Sequence, residues 1–290
     1  MQPLASIPSP SRSVIDIGPL TVHAYGICIA LGVVVAVWFG SRRWQSWGGD
    51  ASDVPAIATW AVPAGVVGAR LYHLATDWRS YRGRWSDMLK IGQGGLGIWG
   101  GVALGALAGV VVARRRGLSI GRGLDMAAPA IPLAQAIGRW GNWWNQELFG
   151  GPTSLPWAVE IDPAHRPAQY AAETTFHPTF LYESLWNLFA VAVVLIVEKR
   201  TRGRLRPGRL FAVYVATYTF GRFFIERVRI DRASHVGGLR INEVVALIVF
   251  AGAVAVLLAG RRHRADQPTD QPTDQPAEPL VDQTVANPDQ

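Results

Sequence analysis

The sequence predicts an all-α integral membrane protein, a bundle of about seven transmembrane helices with the N-terminus outside and the C-terminus in the cytoplasm. Three observations support this prediction. Charged residues make up 17% of the 290 residues, whereas soluble domains typically have about 25%. Apolar runs long enough to cross about 30 Å of hydrocarbon recur along the chain. Short basic clusters follow every second run, as the positive-inside rule requires of cytoplasmic helix ends.

Seven segments are apolar enough to be spans, since a helix of roughly 20 such residues crosses the bilayer. They are 20–40, 54–75, 96–113, 124–140, 179–197, 209–227 and 241–260. The second and fourth are weaker because Pro55, Pro63, Pro129 and Pro132 interrupt them. Membrane helices tolerate proline where neighbouring helices satisfy the freed backbone groups. The small residues of the third and fourth segments favour close helix packing.

Basic clusters set the predicted orientation and the domain limits. They follow the odd-numbered spans, at Arg42–Arg43, Arg114–Arg116, Lys199–Arg209 and Arg261–Arg264. Residues 1–19 are then a short external segment leading into an uncleaved signal-anchor, since no small-residue cleavage site is evident. Residues 20–260 form the membrane domain, with an external loop region at 141–178. Residues 261–290 are expected to be a disordered cytoplasmic tail, because the repeat "DQPTDQPTDQP" has too little apolar surface to fold.

Many basic residues lie on the predicted outer side of the membrane, where the positive-inside rule does not place them. Residues 1–265 hold all 28 basic residues of the chain against 15 acidic ones. Those on the predicted outer side are Arg79, Arg82, Arg84, Lys90, Arg139, Arg166, Arg222, Arg227, Arg229, Arg232 and Arg240. An anionic ligand at the outer leaflet is one reason for arginine there.

Polar residues also recur at helical spacing inside two spans. One face of the sixth span carries Tyr214, Tyr218, Arg222, Glu226 and Arg229, and one face of the fifth carries Thr179, Glu183 and Asn187. These stripes favour a polar cavity that opens outward. Structural readings stand beside this one: Arg222 and Glu226 as an ion pair of the bundle, and Glu183 as a hydrogen-bonding partner of a neighbouring helix. Tyr25 could belong to the aromatic belts at the membrane surface, and for Trp143, Trp144 and Trp157 that is the favoured reading.

The segment "GRWGNWWNQELFG" (138–150) resembles the signature of the prolipoprotein diacylglyceryl transferases, G-R-x-G-N-[FW]-x-N-x-E-x-x-G. Four further pieces of that family's pattern follow the same order: "VHAYG" (22–26), "GGLGIWGG" (94–101), "HPTFLYES" (177–184) and "GRFFIERVR" (221–229). The resemblance covers roughly residues 14–260. It implies a bacterial inner-membrane enzyme whose active site faces outward.

The resemblance also implies the reaction. Such an enzyme transfers the diacylglyceryl group of phosphatidylglycerol to the lipobox cysteine of a preprolipoprotein, forms a thioether and releases glycerol 1-phosphate. The expected partners are phosphatidylglycerol, signal peptides with a lipobox cysteine, and membrane lipids. No cofactor or metal is expected, and the sequence offers no metal-ligand cluster. Arginine suits a phosphate that gains negative charge as it leaves.

Residue roles follow from matching positions in the motifs. Arg139 is expected to bind the phosphate, Asn142 the head-group or glycerol oxygens, and Glu147 to orient Arg139 or accept a proton. Arg222 is expected to gate or clamp the lipid. Tyr25 matches the first motif and His177 the HP motif, in a supporting role. Asn145, Glu226 and Arg229 are expected at the substrate-binding positions.

One position departs from the family pattern. Many relatives carry a histidine where this chain has Trp99, in "GIWGG". Indole cannot accept a proton at neutral pH. The proton of the thiol then goes to Glu147, His177 or His23, or the arginines lower the pKa of the thiol enough for it to arrive ionised.

Three other classes of protein fit the sequence less well. A transporter or anion channel would use the polar stripes as a path, but no repeat relates the two halves of the chain. Sidedness already explains the cytoplasmic arginines, and no nucleic-acid-binding signature accompanies them, so no nucleic acid is expected as a partner. A serine hydrolase is disfavoured because Gly-x-Ser-x-Gly is absent.

Overall fold

The computed structural model describes residues 6–18, 20–89, 94–231 and 233–265. Lys90, Arg232 and the repeat segment that begins after residue 265 lie outside the described residues. The prediction of a disordered tail therefore stays a prediction.

Seven long helices and one short helix make up most of the described chain. They are α1 (Ala24–Ser46), α2 (Asp53–Thr76), α3 (Ile98–Arg115), α4 (Ile120–Gly138), α5 (Trp140–Asn145), α6 (Thr179–Thr201), α7 (Arg209–Val228) and α8 (Ile241–Ala265). Three antiparallel hairpins join them: β1 (Val14–Ile17) with β2 (Leu20–His23), β3 (Val159–Glu160) with β4 (Thr175–Phe176), and β5 (His235–Val236) with β6 (Leu239–Arg240). The predicted number of long helices is confirmed.

Five of the described helices, α1, α2, α3, α6 and α8, are long and apolar enough to cross a membrane. The segment of α2 that the sequence ranked as weak is among them, whereas α4 and α7 are not. On α1, the large side chains of Leu31, Val34 and Trp38 are more than half exposed. An apolar surface of this kind suits contact with lipid tails rather than water.

Helix α4 lies at the centre of the bundle, in contact with α1, α6 and α7. Its two prolines, Pro129 and Pro132, are fully buried. Ser184 of α6 donates a hydrogen bond of 2.9 Å to the carbonyl oxygen of Ala136 near the C-terminal end of α4. The side chain of Asp125 accepts from the backbone N–H groups of Gly208 and Phe211, at 2.8 and 3.1 Å. That carboxylate caps the N-terminus of α7 from a neighbouring helix, where backbone donors would otherwise be unsatisfied.

Helices α2 and α3 form a tightly packed hairpin. A Cβ atom added at Gly68 would lie 2.3 Å from the carbonyl oxygen of Gly100, and one at Gly100 would lie 2.2 Å from that of Gly68. The two backbones can approach this closely only because both positions are glycine. Asp53, at the start of α2, ties the hairpin to α1 by accepting a hydrogen bond of 2.8 Å from Trp44. The same carboxylate pairs with Arg116 at the end of α3, at 2.6 Å, and so also joins the two helices of the hairpin.

The segment between α5 and α6 folds over the other end of the bundle around a small apolar core. Its buried members are Phe149, Val159, Ile161, Phe176 and Phe180. Ile7 forms a β-bridge with Val159, so the N-terminal segment joins this layer. The layer lies against the C-terminal end of α7, where Gly150 forms a β-bridge with Arg229 and the backbone N–H of Gly151 donates to the carbonyl oxygen of Val228.

We expect Gly68→Ala to lower the midpoint of thermal unfolding in detergent. The new methyl group would also lie 2.6 Å from the Cβ of Leu104, and overpacking of this kind costs about 1–3 kcal/mol. Tryptophan fluorescence during heating measures the midpoint. The matched control is Gly252→Ala in α8, where nothing lies within 4 Å of the added atom. Equal losses in the two variants would contradict the close approach of α2 and α3.

Candidate active site

The polar residues of the stripes converge at one end of the bundle. The C-terminal ends of α4 and α7 lie there, beside the N-terminal ends of α6 and α8. Glu183 is four residues into α6 and Arg222 six residues before the end of α7. At about 1.5 Å per residue, both lie roughly 6–9 Å inside the helix ends. The predicted convergence of the two stripes is present in the structure.

Glu183 is the carboxylate at the centre of this cluster. Its Oε2 atom lies 2.7 Å from Nε of Arg139, and its Oε1 atom 3.0 Å from Nη1 of Arg222. The glutamate side chain is 5% exposed. One buried carboxylate therefore joins Arg139 of the "GRWGNWWNQELFG" motif to Arg222 of the "GRFFIERVR" motif. A carboxylate removed from water requires such charged partners.

Glu226 is a second, completely buried carboxylate beside it. Oε2 accepts from Nη2 of Arg222 at 2.5 Å. Oε1 lies 2.9 Å from Nε of Arg240 and accepts from Nδ2 of Asn242 at 3.1 Å. Arg222 is thus held between two carboxylates, one from α6 and one from its own helix.

A third acid, Asp231, closes the cluster on the outer side. It pairs with Arg229 at 2.7 Å and with Arg240 at 3.1 Å. Burial alone would raise the pKa of Asp231, but the hydrogen bond from Arg229 and the charges of Arg229 and Arg240 outweigh it and hold that pKa below its usual range. Arg240 also donates to the carbonyl oxygens of Arg229 and Asp231.

The four arginines of the cluster differ in accessibility. The side chains of Arg139 and Arg222 are 22% and 15% exposed, whereas that of Arg229 is 6% exposed. Arg240 is enclosed by its carboxylate and carbonyl partners. Glu183, Glu226 and Asp231 balance three of the four arginines, and Glu147 lies at the edge of the same network. The accessible guanidinium surface of the cluster lies on Arg139 and Arg222.

Asn142, Asn145 and Glu147 extend the cluster along α5. Arg139 donates to Oδ1 of Asn142 at 3.4 Å, and Asn142 donates to Oε1 of Glu147 at 2.9 Å. Asn145 donates to the same oxygen at 3.3 Å. Glu147 is exposed and does not contact Arg139 directly. Glu147 was expected either to orient Arg139 or to accept a proton. It could orient Arg139 only through Asn142, because Glu183 is the carboxylate that pairs with this arginine.

Tyr25 lies against α5 at the start of α1. A Cβ atom at Gly141 would be 2.6 Å from the ring of Tyr25, so the motif needs glycine at this position. The tyrosine hydroxyl is within electrostatic reach of Glu147 and Arg139. Tyr25 is therefore brought to the site.

His177 contacts the motif but not the charged cluster. Its carbonyl oxygen accepts from the backbone N–H of Gly150 at 2.9 Å, and its ring Nδ1 lies 3.0 Å from the hydroxyl of Tyr182. Burial lowers the pKa of His177, so the ring is neutral at pH 7. His23, the other histidine considered as a proton acceptor, is an exposed strand residue. Trp99, at the position where many relatives carry a histidine, is half exposed at the start of α3.

The aromatic residues of the motif have mixed environments. Trp143 stacks on Phe180 of the apolar core, and its ring N–H donates to the carbonyl oxygen of Pro8. Trp140 and Trp157 are 40% and 47% exposed. Trp143 therefore packs the site against the apolar core formed by the segment between α5 and α6, whether or not it also contacts the membrane surface.

Several outer arginines have partners that do not involve a ligand. Arg166 donates to the carbonyl oxygens of Ile161 and Ala171. Arg227 pairs with Glu243 at 2.8 Å. Arg82 lies over the ring of Trp78. The anionic-ligand argument therefore rests on Arg139 and Arg222.

Sequence reasoning did not assign four members of the cluster to the site, namely Glu183, Asp231, Arg240 and Asn242, and it did not single out Asp231 at all. Glu183 was placed on a polar stripe and read as a partner of a neighbouring helix. Arg240 was noted only as an arginine on the outer side, and Asn242 was not singled out. The helical spacing of Thr179, Glu183 and Asn187 placed Glu183 on the polar face of the fifth span but did not identify Arg139 and Arg222 as its partners. Arg240 and Asn242 reach Glu226 from β6 and from the start of α8, which no local pattern reveals.

Comparison with known proteins gives a consistent result. The family model described as "Prolipoprotein diacylglyceryl transferase" matches residues 12–259. A protein of Cutibacterium acnes named phosphatidylglycerol–prolipoprotein diacylglyceryl transferase is 52% identical over 260 residues, covering 89% of this chain and 87% of the relative. Proteins of the same name from Frankia alni and Streptomyces coelicolor are 54% and 51% identical. They match 89% and 90% of this chain, and 68% and 83% of their own lengths.

We expect Glu183→Gln to lower the thermal unfolding midpoint markedly. The amide keeps the shape of the side chain but leaves Arg139 and Arg222 without their shared anion. Removing one partner of a buried ion pair costs about 3–5 kcal/mol. Glu198→Gln is the matched control, because it removes the partner of Arg43 at the opposite end, where the carboxylate is 20% exposed. A Glu183→Gln protein as stable as wild type would contradict the central position of this carboxylate.

Stability should also depend on pH through His177. Its folded-state pKa is lowered by burial, so the stability that the neutral ring provides is complete above the unfolded-state pKa of about 6.5 and falls below it. Unfolding midpoints measured from pH 7.5 to pH 5 should fall more steeply for wild type than for His177→Asn. Identical slopes would show that His177 is not the group responsible.

Proposed function

This chain belongs to the prolipoprotein diacylglyceryl transferase family, and from that premise we propose that Arg139 and Arg222 bind the phosphate of its lipid donor. The resemblance found in the motifs is confirmed. The chain is a transferase that moves the diacylglyceryl group of phosphatidylglycerol to the lipobox cysteine of a preprolipoprotein, the first step of lipoprotein maturation. The roles of individual residues are our proposal.

The pairing of Arg139 and Arg222 through Glu183 is the observation that supports this assignment most. Two guanidinium groups from different helices are held on one buried carboxylate. Both keep exposed surface, whereas Arg229 is almost completely buried. A phosphodiester bears one negative charge, and a planar guanidinium can contact two of its oxygens at once.

The reaction needs positive charge that is already in place. The thiol sulfur attacks the glyceryl carbon next to the phosphate, the carbon–sulfur bond forms, and the carbon–oxygen bond breaks. The bonding electrons leave with the oxygen, so the phosphate becomes a more negative monoester. Fixed cations in a site of low dielectric stabilise that developing charge without reorganising. Arg139 and Arg222 therefore lower the barrier for departure of glycerol 1-phosphate.

Glu183 and Glu226 keep the two arginines oriented. Each carboxylate binds Arg222 from a different side, and Glu183 also binds Arg139. Arg229 was expected at the substrate, but its geometry favours a supporting role, because its Nε atom is bonded to Asp231 and the side chain is enclosed. Glu226 has the same kind of role, since it is completely buried.

Asn142 and Asn145 position Glu147, which acts on the thiol. Asn142 is 4% exposed and both polar atoms of its amide are engaged by Arg139 and Glu147, so it holds these two residues in place beside the head group. Glu147 accepts the thiol proton in this proposal, since it is exposed and next to the phosphate site. The proton passes from sulfur to a carboxylate oxygen as the thioether forms. Tyr25 lies close enough to Glu147 and Arg139 to help position the reacting groups. His177 supports the motif through Gly150.

The site faces the outer surface of the bacterial inner membrane in this proposal. Basic clusters lie at the C-terminal ends of α1, α3, α6 and α8, and by the positive-inside rule this supports a cytoplasmic position for those ends and an N-terminus outside. The cluster lies at the opposite helix ends. A lipid could then enter sideways from the outer leaflet, where preprolipoproteins also emerge.

We expect the purified enzyme to transfer labelled diacylglycerol from phosphatidylglycerol to a lipobox peptide, and Arg139→Ala to lose at least about 10²-fold in kcat/KM. Removing one charge-stabilising donor typically has an effect of this size. Arg139→Lys should regain only part of it, because lysine lacks the fork. Thioether product is measured by mass spectrometry of the peptide.

Two controls make the result decisive. A peptide with serine in place of the lipobox cysteine should stay unlabelled. Arg82→Ala should keep wild-type activity, because this arginine lies over Trp78 and outside the cluster. Wild-type protein that forms no thioether would overturn the function, whereas an active Arg139→Ala variant would overturn only the phosphate assignment.

A further inference from the structure

The turn that carries Glu147 has an unusual backbone. Gln146 and Leu148 have φ values of +50° and +59°, and among the described residues only Arg202 is a third non-glycine with positive φ. The left-handed region is unfavourable for side chains other than glycine. Such residues persist only where surrounding structure imposes them, and they cluster at functional sites. Both neighbours of Glu147 are held in this conformation.

The left-handed conformation of Gln146 brings Glu147 back over α5. The backbone N–H of Gln146 donates to the carbonyl oxygen of Trp143, and that of Glu147 donates to the carbonyl oxygen of Asn142, at 3.2 and 3.1 Å. This pair of bonds is the Schellman ending of a helix, in which the left-handed residue is usually glycine. Because the chain reverses here, the carboxylate of Glu147 comes within reach of Asn142 and Asn145.

The side chain of Gln146 is tied on every polar atom. Its oxygen accepts from the backbone N–H of Asp162 at 2.7 Å. Its nitrogen donates to Oδ2 of Asp162 at 2.6 Å and to the carbonyl oxygen of Pro10 at 3.0 Å. The residue is 4% exposed. Gln146 thus links α5 to the N-terminal segment and to the loop after β3.

We propose that Gln146 is a positioning residue for diacylglyceryl transfer: its bonds to Asp162 and Pro10 fix the turn that presents Glu147 to Asn142. The inference rests on the proposed function for the effect on catalysis. Gln146 occupies a variable position of the motif, so its type is not dictated by the family signature. Glycine there would make the same turn more easily but would leave it untethered. The N-terminal segment therefore becomes part of the active-site framework.

Gln146→Gly removes the side-chain hydrogen bonds of Gln146 but still allows the left-handed backbone conformation of the turn. We expect a loss of about 10-fold in kcat, because small displacements of reacting groups are costly, while KM for phosphatidylglycerol stays within about 2-fold because Arg139 and Arg222 remain in place. The matched control is Leu148→Gly, which relaxes the other left-handed residue without removing a side-chain hydrogen bond. It should keep wild-type kcat. Asp162→Ala should lower kcat less than Gln146→Gly, and the double variant no further than Gln146→Gly alone.

Hydrogen exchange tests the tether independently of activity. In Gln146→Gly, the backbone N–H of Glu147 should exchange faster than in wild type, and in Leu148→Gly it should not. Wild-type kcat in Gln146→Gly, or equal losses in both glycine variants, would overturn the positioning role in catalysis. Unchanged exchange at Glu147 would overturn the tether itself. A wild-type enzyme without transferase activity would instead overturn the proposed function, and exchange would still decide whether Gln146 holds the turn.

Discussion

The ion pairs of Glu183 are the interaction on which the rest of the site depends. A carboxylate buried one turn inside α6 is tolerated only because Arg139 and Arg222 neutralise it. The same bonds fix both arginines, whose long side chains would otherwise sample many rotamers. One anion therefore satisfies a folding requirement and orients two cations for a phosphate. The pairs made by Glu226, Asp231 and Arg240 extend this network to Arg222 and Arg229.

Helices α4 and α7 show how the fold accommodates these charges. Neither is apolar enough to rank as a span by composition, and each packs against several others, with α4 in contact with α1, α6 and α7. Asp125 of α4 and Thr219 and Glu226 of α7 are buried, while α1 and α8 expose large apolar side chains outward. Asp125 ties α4 to the start of α7 at the end opposite the arginine cluster. The position of Arg222 relative to Arg139 is thus set along the whole length of the two helices.

Much of this could be predicted because the signals are local. Apolar runs marked the helices, and the spacing of Arg222, Glu226 and Arg229 marked one face of α7. The ranking of spans was less successful: α2 meets the length and hydropathy of a span despite Pro63, whereas α7 does not because of its charged residues. Which carboxylate pairs with Arg139 was beyond the sequence, because Glu147 is near in the chain but Glu183 is near in space. The roles of Arg240 and Asn242 depend on how α8 packs against α7, and the left-handed backbone of Gln146 gives no compositional sign at all.

The charges of the cluster determine whether the protein can fold before an anionic lipid binds. Four arginines gathered without carboxylates would repel one another, and folding would have to await an anion. With carboxylates among them, the protein can fold before the lipid arrives, and Arg139 and Arg222 keep exposed guanidinium surface. If these two arginines bind the phosphate, as proposed, the second negative charge develops against fixed guanidinium groups as the carbon–oxygen bond breaks, so the interaction strengthens most in the transition state. Stronger binding there than in the ground state is what accelerates a reaction, and the carboxylates that moderate the charge of the free site make that difference possible.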